Sequence, residues 1–226
     1  MKRIASLSVG LIAITTFTGR GWAADKALTP NAEGFVMNWL VLAPIHLPET
    51  ERGADGLSVE HVKGQASVAP KAGDKVKVGE DSVTWKAVTA DTNSAMDFNV
   101  VCGDRLEYVA AYAVTDVKAD SETKVKVKIG SNDEGVLWIN GKEIIRNTEP
   151  RTLESDQNEA DVTLTKGWNH IVFKVINDEN NWGGKLRFTD KEDKPVTSLQ
   201  VSLSPEKTVT AEKVEKAEAK EPAKKD

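Results

Sequence analysis

The sequence predicts an all-β domain, an antiparallel jelly-roll-like β-sandwich, on three observations. Between Ile129 and Asp190, short runs of alternating apolar and polar residues are broken by turn residues. Asn140-Gly141 separates Trp138-Ile139 from Lys142-Glu143-Ile144-Ile145, and both turn residues tolerate the positive φ of a tight hairpin. β-Branched and aromatic residues fill these runs, and a single weak helical stretch, near Gly56–Val62, is visible beside them.

The strands are expected in the following order. Asn38–Ala43 is the first, stopped by Pro44. Lys75–Val78 and Ser82–Val88 are expected to pair around Gly79-Glu80-Asp81, and Met96–Val101 follows. Leu106–Val117 is apolar on both faces, with Tyr108, Ala110, Tyr112 and Val114 on one and Val109, Ala111 and Ala113 on the other. Such a strand belongs mid-sandwich or beneath a covering loop. The poorly patterned stretch Leu47–Ala72 can supply that loop or a short helix. Thr123–Ile129 alternates Lys124, Lys126 and Lys128 with Val125, Val127 and Ile129, which gives one wet and one dry face. The lysines would also guard the strand if it lay at an edge. Glu134–Ile139 and Lys142–Ile145 form the Asn-Gly hairpin, Asp161–Thr165 and Trp168–Ile176 are expected to pair across Lys166-Gly167, and Lys185–Asp190 and Ser198–Leu203 close the set.

Both ends read differently. Met1-Lys2-Arg3 is a basic start, Ile4–Thr18 is mostly apolar and uncharged, and Gly21-Trp22-Ala23 offers small residues for cleavage. Residues 1–23 are therefore expected to be a secretory signal peptide, with the product secreted or periplasmic. The apolar run is shorter than the roughly 20 residues of a spanning helix, so no membrane span is expected in the mature chain. Residues 24–204 form the sandwich domain. Residues 205–226, rich in Lys, Glu and Ala with little to bury, are expected to be a disordered tail.

The chain carries a net charge of −5 from 30 basic and 35 acidic residues. Loss of Lys2, Arg3 and Arg20 with the leader leaves 27 basic against 35 acidic, a charge of −8. An acidic chain with no basic block is a poor partner for nucleic acid. The one cysteine, Cys102, excludes an internal disulfide and reads as a small buried hydrophobe. His46, His61 and His170 do not cluster, and no HExxH, CxxC, GxSxG or phosphate-loop motif occurs. No catalytic signature is found, so the chain is expected to be a non-enzyme with no catalytic residues.

Ser131-Asn132-Asp133, Trp138-Ile139-Asn140-Gly141-Lys142, Gly167-Trp168-Asn169 and Leu186-Arg187-Phe188-Thr189-Asp190, with Asn38–Ile45 ahead of them, resemble galactose-binding-like jelly-roll modules of secreted bacterial proteins, especially those of planctomycetes. The resemblance covers most of residues 36–203. It implies the sandwich fold, export, and an accessory role beside sugar-processing proteins. The hairpin also resembles that of PA14-type sandwiches, some of which hold calcium for glycan binding through adjacent aspartates before the hairpin. Here Asn132 stands in the first of those positions.

Trp182 is the leading binding candidate, in the polar loop Asn177-Asp178-Glu179-Asn180-Asn181-Trp182. An indole can stack on a sugar ring while Asn180, Asn181 and Asp178 pair with its hydroxyls; alternatively, Trp182 plugs one end of the sandwich. Asn132 and Asp133 are expected beside it. No cofactor is required, but Asp133, Glu134, Asp178 and Glu179 have the hard oxygens calcium takes. Trp138 reads as core, Trp39 and Trp168 as structural, and Trp85 as a cover for the lysine-rich face. The favoured reading is a non-catalytic module binding carbohydrate or a cell-surface polymer. The alternatives are a structural or envelope-protein-interaction module and, less favoured, a glycan-active enzyme with a carboxylate pair.

Overall fold

The structure, a computed structural model, describes residues 28–204; the expected signal peptide and tail lie outside the described residues. Thirteen strands are present: β1 Asn38–His46, β2 Lys75–Val78, β3 Asp81–Thr84, β4 Lys86–Thr89, β5 Met96–Asp97, β6 Val109–Ala119, β7 Thr123–Asn132, β8 Gly135–Ile139, β9 Lys142–Asn147, β10 Asn158–Leu164, β11 Gly167–Asn177, β12 Gly183–Thr189 and β13 Gln200–Ser202. Two short helices, α1 Gly53–Ser58 and α2 Phe98–Cys102, interrupt them. The larger sheet runs β4-β1-β6-β11-β8-β9, with β13 also on β6, and the smaller runs β10-β7-β12-β5. All of these strand pairs are antiparallel. The all-β sandwich read from the sequence is the fold.

The double apolar character of β6 has a direct structural use. Val109, Ala111 and Ala113 face the core between the sheets, with Val125, Val127 and Ile129 of β7 opposite them. Ala110, Tyr112 and Val114 face outward into a second core. That second core is roofed by the segment between β1 and β4, through Leu47, Leu57, Val62, Val83 and Trp85. A sheet buried on both sides needs near-continuous apolar strands, and β6 and β11 supply them. Lys174 of β11 points into the second core at 0% exposure. Its ammonium donates to the carbonyls of Gly56 (2.6 Å) and Val59 (2.8 Å), with Leu57 at 3.4 Å, at the end of α1. It also lies over the Tyr112 ring at 5.3 Å. A cation at a helix C-terminus suits the negative end of the helix, and here it adds to the 3.2 Å bonds that the Gly56 and Val59 carbonyls accept from the Val59 and His61 N–H groups.

Several element expectations are corrected. The run Met96–Val101 is not one strand: Asp97 accepts a hydrogen bond from the Val100 N–H at 3.2 Å, starts α2, and Gly103 at φ 77° ends it. The strand expected over Ser82–Val88 breaks at Trp85, so that β3 pairs β2 while β4 pairs β1. Trp85 is buried in the second core and does not cover the lysine row. The first strand continues through Pro44, which sits at a register shift between Leu42 and Ile45 where its missing N–H is tolerated. The helix near Gly56–Val62 forms earlier, at Gly53–Ser58.

β10 and β11 are not a hairpin. β10 pairs β7 in one layer and β11 pairs β6 and β8 in the other. The Asn169 side chain holds the crossing loop by accepting from the Thr165 N–H at 2.9 Å and donating to the Thr165 carbonyl at 2.9 Å. β7 is an inner strand, so its lysines guard no edge. Lys128 is 7% exposed and pairs with Glu159 and Asp193, each at 2.9 Å. The Asn140-Gly141 turn is as expected, with φ of 52° and 77°.

Candidate functional site

One end of the sandwich gathers the β7–β8 turn and the β11–β12 loop. The Asp133 N–H donates to the Ile176 carbonyl at 2.8 Å, and the Ile176 N–H donates to the Glu134 carbonyl at 3.0 Å. The Asp133 carboxylate accepts from the backbone N–H of Asp178 at 3.0 Å and of Arg151 at 3.1 Å. These bonds draw Asp133, Glu134 and Asp178 together, with ligand oxygens all within 4.8 Å of one another. Gly53, at the start of α1, closes over them: its N–H donates to the Asp178 carboxylate at 3.1 Å. A side chain at Gly53 would begin 3.5 Å from a Glu134 oxygen at a φ of +56°, which disfavours anything but glycine.

The electrostatics of this trio are unusual. Glu134 is 2% exposed, and its Oε2 is buried with no hydrogen-bond partner among the described residues. Burial pushes its pKa up to about 7, and the negative Asp178, Asp133 and Glu149 add to the shift. Asp133 is shifted upward as well, again chiefly by burial. A buried carboxylate oxygen without a donor is costly. A hard divalent cation among the three carboxylates removes that cost, because calcium takes carboxylate and carbonyl oxygens. The residues present therefore fit calcium, which Asp133, Glu134 and Asp178 would hold. Glu179 does not converge on the trio; it accepts from the Tyr108 hydroxyl at 3.2 Å.

The candidate residues fall into two adjoining clefts that meet at Asn132-Asp133, whose peptide bond is cis. Asp133, Asp178, Glu179 and Asn180 line a cleft of about 530 Å³ with Arg52, Gly53 and Tyr108. Asn132, Asn181 and Trp182 line another, of about 450 Å³, with Asp91, Asn93 and Lys185. A larger groove of about 670 Å³ crosses the outer face of β7 and β10, but it contains none of the candidate residues, and Lys126 within it is already paired with Asp193.

Trp182 does not offer an open ring. It is 2% exposed and packs against Phe98 with ring centroids 4.9 Å apart, closing the end of the core. Trp39, Trp85 and Trp138 are also buried, so the tryptophans of the described residues make no stacking platform at these clefts. Arg52, Gly53 and Tyr108 escaped sequence reasoning. Arg52 and Gly53 belong to the unpatterned covering segment. Tyr108, expected on a strand face, precedes β6 at φ 53° and turns to the cleft instead.

No protein-family model and no curated protein matches the chain. The chain is similar to PA14 domains. It aligns with the PA14 domain of the MpAFP antifreeze protein at 9% identity over 78% of this chain and 85% of that one, with a TM-score of 0.37. It aligns with the PA14 sugar-binding domain of an RTX adhesin at 10% identity over 74% and 96%, with a TM-score of 0.36. A beta-glucosidase from Kluyveromyces marxianus aligns at 8% identity over 73% of this chain but 19% of that enzyme, with a TM-score of 0.38.

Proposed function

We propose that this chain is a non-catalytic module, acting outside the cytoplasm, that binds carbohydrate or a cell-surface polymer at the Asp133–Asp178 cleft with the help of a calcium ion. The observation that carries the reading is the trio of Asp133, Glu134 and Asp178, in which Glu134 keeps a buried oxygen without a partner. Calcium bound there would supply positive charge and open positions for sugar hydroxyls. The trio fits an ion better than an acid–base pair. Glu134 lies beneath Asp133 and Asp178 at 2% exposure, where a bare ion can settle but a glycosidic oxygen cannot arrive. Asp178, Glu179 and Asn180 stand at the rim, with hydrogen-bonding groups suited to hydroxyls.

A glycan array probed with and without a chelator tests the reading. Binding that vanishes with the chelator and in Asp178→Asn, with the melting temperature of the variant within a few degrees of the parent, is the expected result. Retention on glycans that ignores both the chelator and the substitution contradicts it. So does failure to bind any glycan, and capture by an envelope protein alone favours an interaction module instead.

A further inference from the structure

Arg52 stands at the rim of the same cleft without a carboxylate partner among the described residues, although acids surround it. Its guanidinium lies over the Tyr108 ring, with its central carbon 3.7 Å from the ring centroid. The nearby acids are engaged elsewhere. Glu51 contacts His61 at 2.9 Å, Asp178 accepts from the Gly53 N–H, Glu179 accepts from the Tyr108 hydroxyl, and Asp133 accepts two backbone N–H groups. Arg52 Nε is buried and unpartnered, so the two terminal nitrogens are the donors left to a ligand in the cleft that Arg52 lines. A stacked guanidinium whose orientation is fixed by a ring loses little freedom on binding, and its paired N–H groups match a carboxylate.

The backbone that carries Arg52 is itself held in place. Gly53 is tied to Asp178 on one side, and the far end of α1 is tied to Lys174 on the other. Arg52 and the acidic trio therefore keep a fixed relation across one cleft.

We propose that Arg52 makes the cleft selective for carboxylate-bearing sugars, uronic acids, whose carboxylate is received by the Arg52 guanidinium beside the calcium held by Asp133, Glu134 and Asp178. The inference rests on the carbohydrate reading above and sharpens it. Four acidic side chains in and around the cleft repel an anionic ligand on their own; calcium and Arg52 together offset most of that charge and put both positive centres where the ligand carboxylate would sit. A neutral sugar gains only ordinary hydrogen bonds from Arg52, whereas a uronate gains a charge-assisted pair.

The test is calorimetric titration of short oligogalacturonate, and of the neutral galacto-oligosaccharide of equal length, into the calcium-loaded protein. The same titrations are made on Arg52→Gln and Arg52→Lys, with calcium affinity and melting temperature measured for each. The expected result is a preference for the uronate of roughly tenfold or more. Arg52→Gln abolishes that preference, Arg52→Lys restores part of it, and calcium affinity stays within about threefold in both. Because the readout is a ratio of two ligands, a merely structural role for Arg52 does not move it. Equal binding of both sugars, or a preference that survives Arg52→Gln, overturns this inference and leaves the carbohydrate reading standing. Failure of both sugars to bind overturns the inference, and only if the glycan array is also blank does the carbohydrate reading fall with it.

Discussion

Glu134 lies 2% exposed between two other carboxylates, and that placement sets how the cleft responds to pH. In the folded chain it holds its proton up to about pH 7, against an ordinary value of 4.5. The folded state thus binds the extra proton between those two values. Its contribution to stability is complete below about pH 4.5 and is lost as pH rises through about 7. Calcium bound at the trio would compete with that proton, so its affinity is expected to rise steadily from pH 5 to pH 8. In Glu134→Gln the pH dependence flattens and affinity falls roughly tenfold or more, since a charged ligand is gone. Titrations at four pH values check both outcomes. Trp182 is a different kind of residue. Buried against Phe98, it is expected to cost about 3–5 kcal/mol of stability on Trp182→Ala, read by urea denaturation. Loss of glycan binding in that variant would report unfolding; Trp182→Phe is the informative substitution and is expected to leave binding intact.

At the scale of the element, the segment from β1 to β4 is a roof held by few fixed points. Lys174 is one of them: its side-chain nitrogen donates to carbonyls at the end of α1 from within an apolar core, where burial lowers its pKa to about 7. Lys174→Met keeps the volume but leaves the Gly56 and Val59 carbonyls only their 3.2 Å bonds from the Val59 and His61 N–H groups. The expected cost is about 1.5–3 kcal/mol for the lost hydrogen bonds from a charged donor. Cleavage by a protease within residues 47–85 is expected to quicken while β6 and β11 stay resistant. The same variant is expected to weaken calcium binding indirectly, since α1 presents Gly53 to Asp178. Unchanged proteolysis in Lys174→Met would show that the roof is held by its apolar contacts alone.

For the whole molecule, what could be read from residues and what could not divides along the range of the interactions. Alternation in β7, the Asn140-Gly141 turn and the two apolar faces of β6 are local patterns with one structural solution, and they gave an antiparallel sandwich. The Lys166-Gly167 break looked equally local. Whether strands on either side of a turn pair or part depends on which sheet each one's apolar face completes, and Thr165–Asn169 crosses between layers. The site divides in the same way. Asp133 and Asp178 sit in recognisable turns, but Arg52 is 81 positions from Asp133 and reaches the cleft only because the roof folds over β11. Trp182 misled because a tryptophan in a polar loop has the same sequence whether its ring faces out or in. A roofed sandwich of this kind is expected to show two tiers of amide exchange, slow in β6, β7 and β11 and faster over residues 47–85. Calcium is expected to slow the second tier near Gly53.

If Asp133, Glu134 and Asp178 form a cation site, a calorimetric titration of calcium into the chelator-treated protein at pH 8 will report it. One calcium per chain, with the signal lost in Glu134→Gln and in Asp178→Asn while both variants still melt cooperatively, is the predicted result. No heat of binding in the parent chain, or an affinity that neither substitution changes, would contradict it.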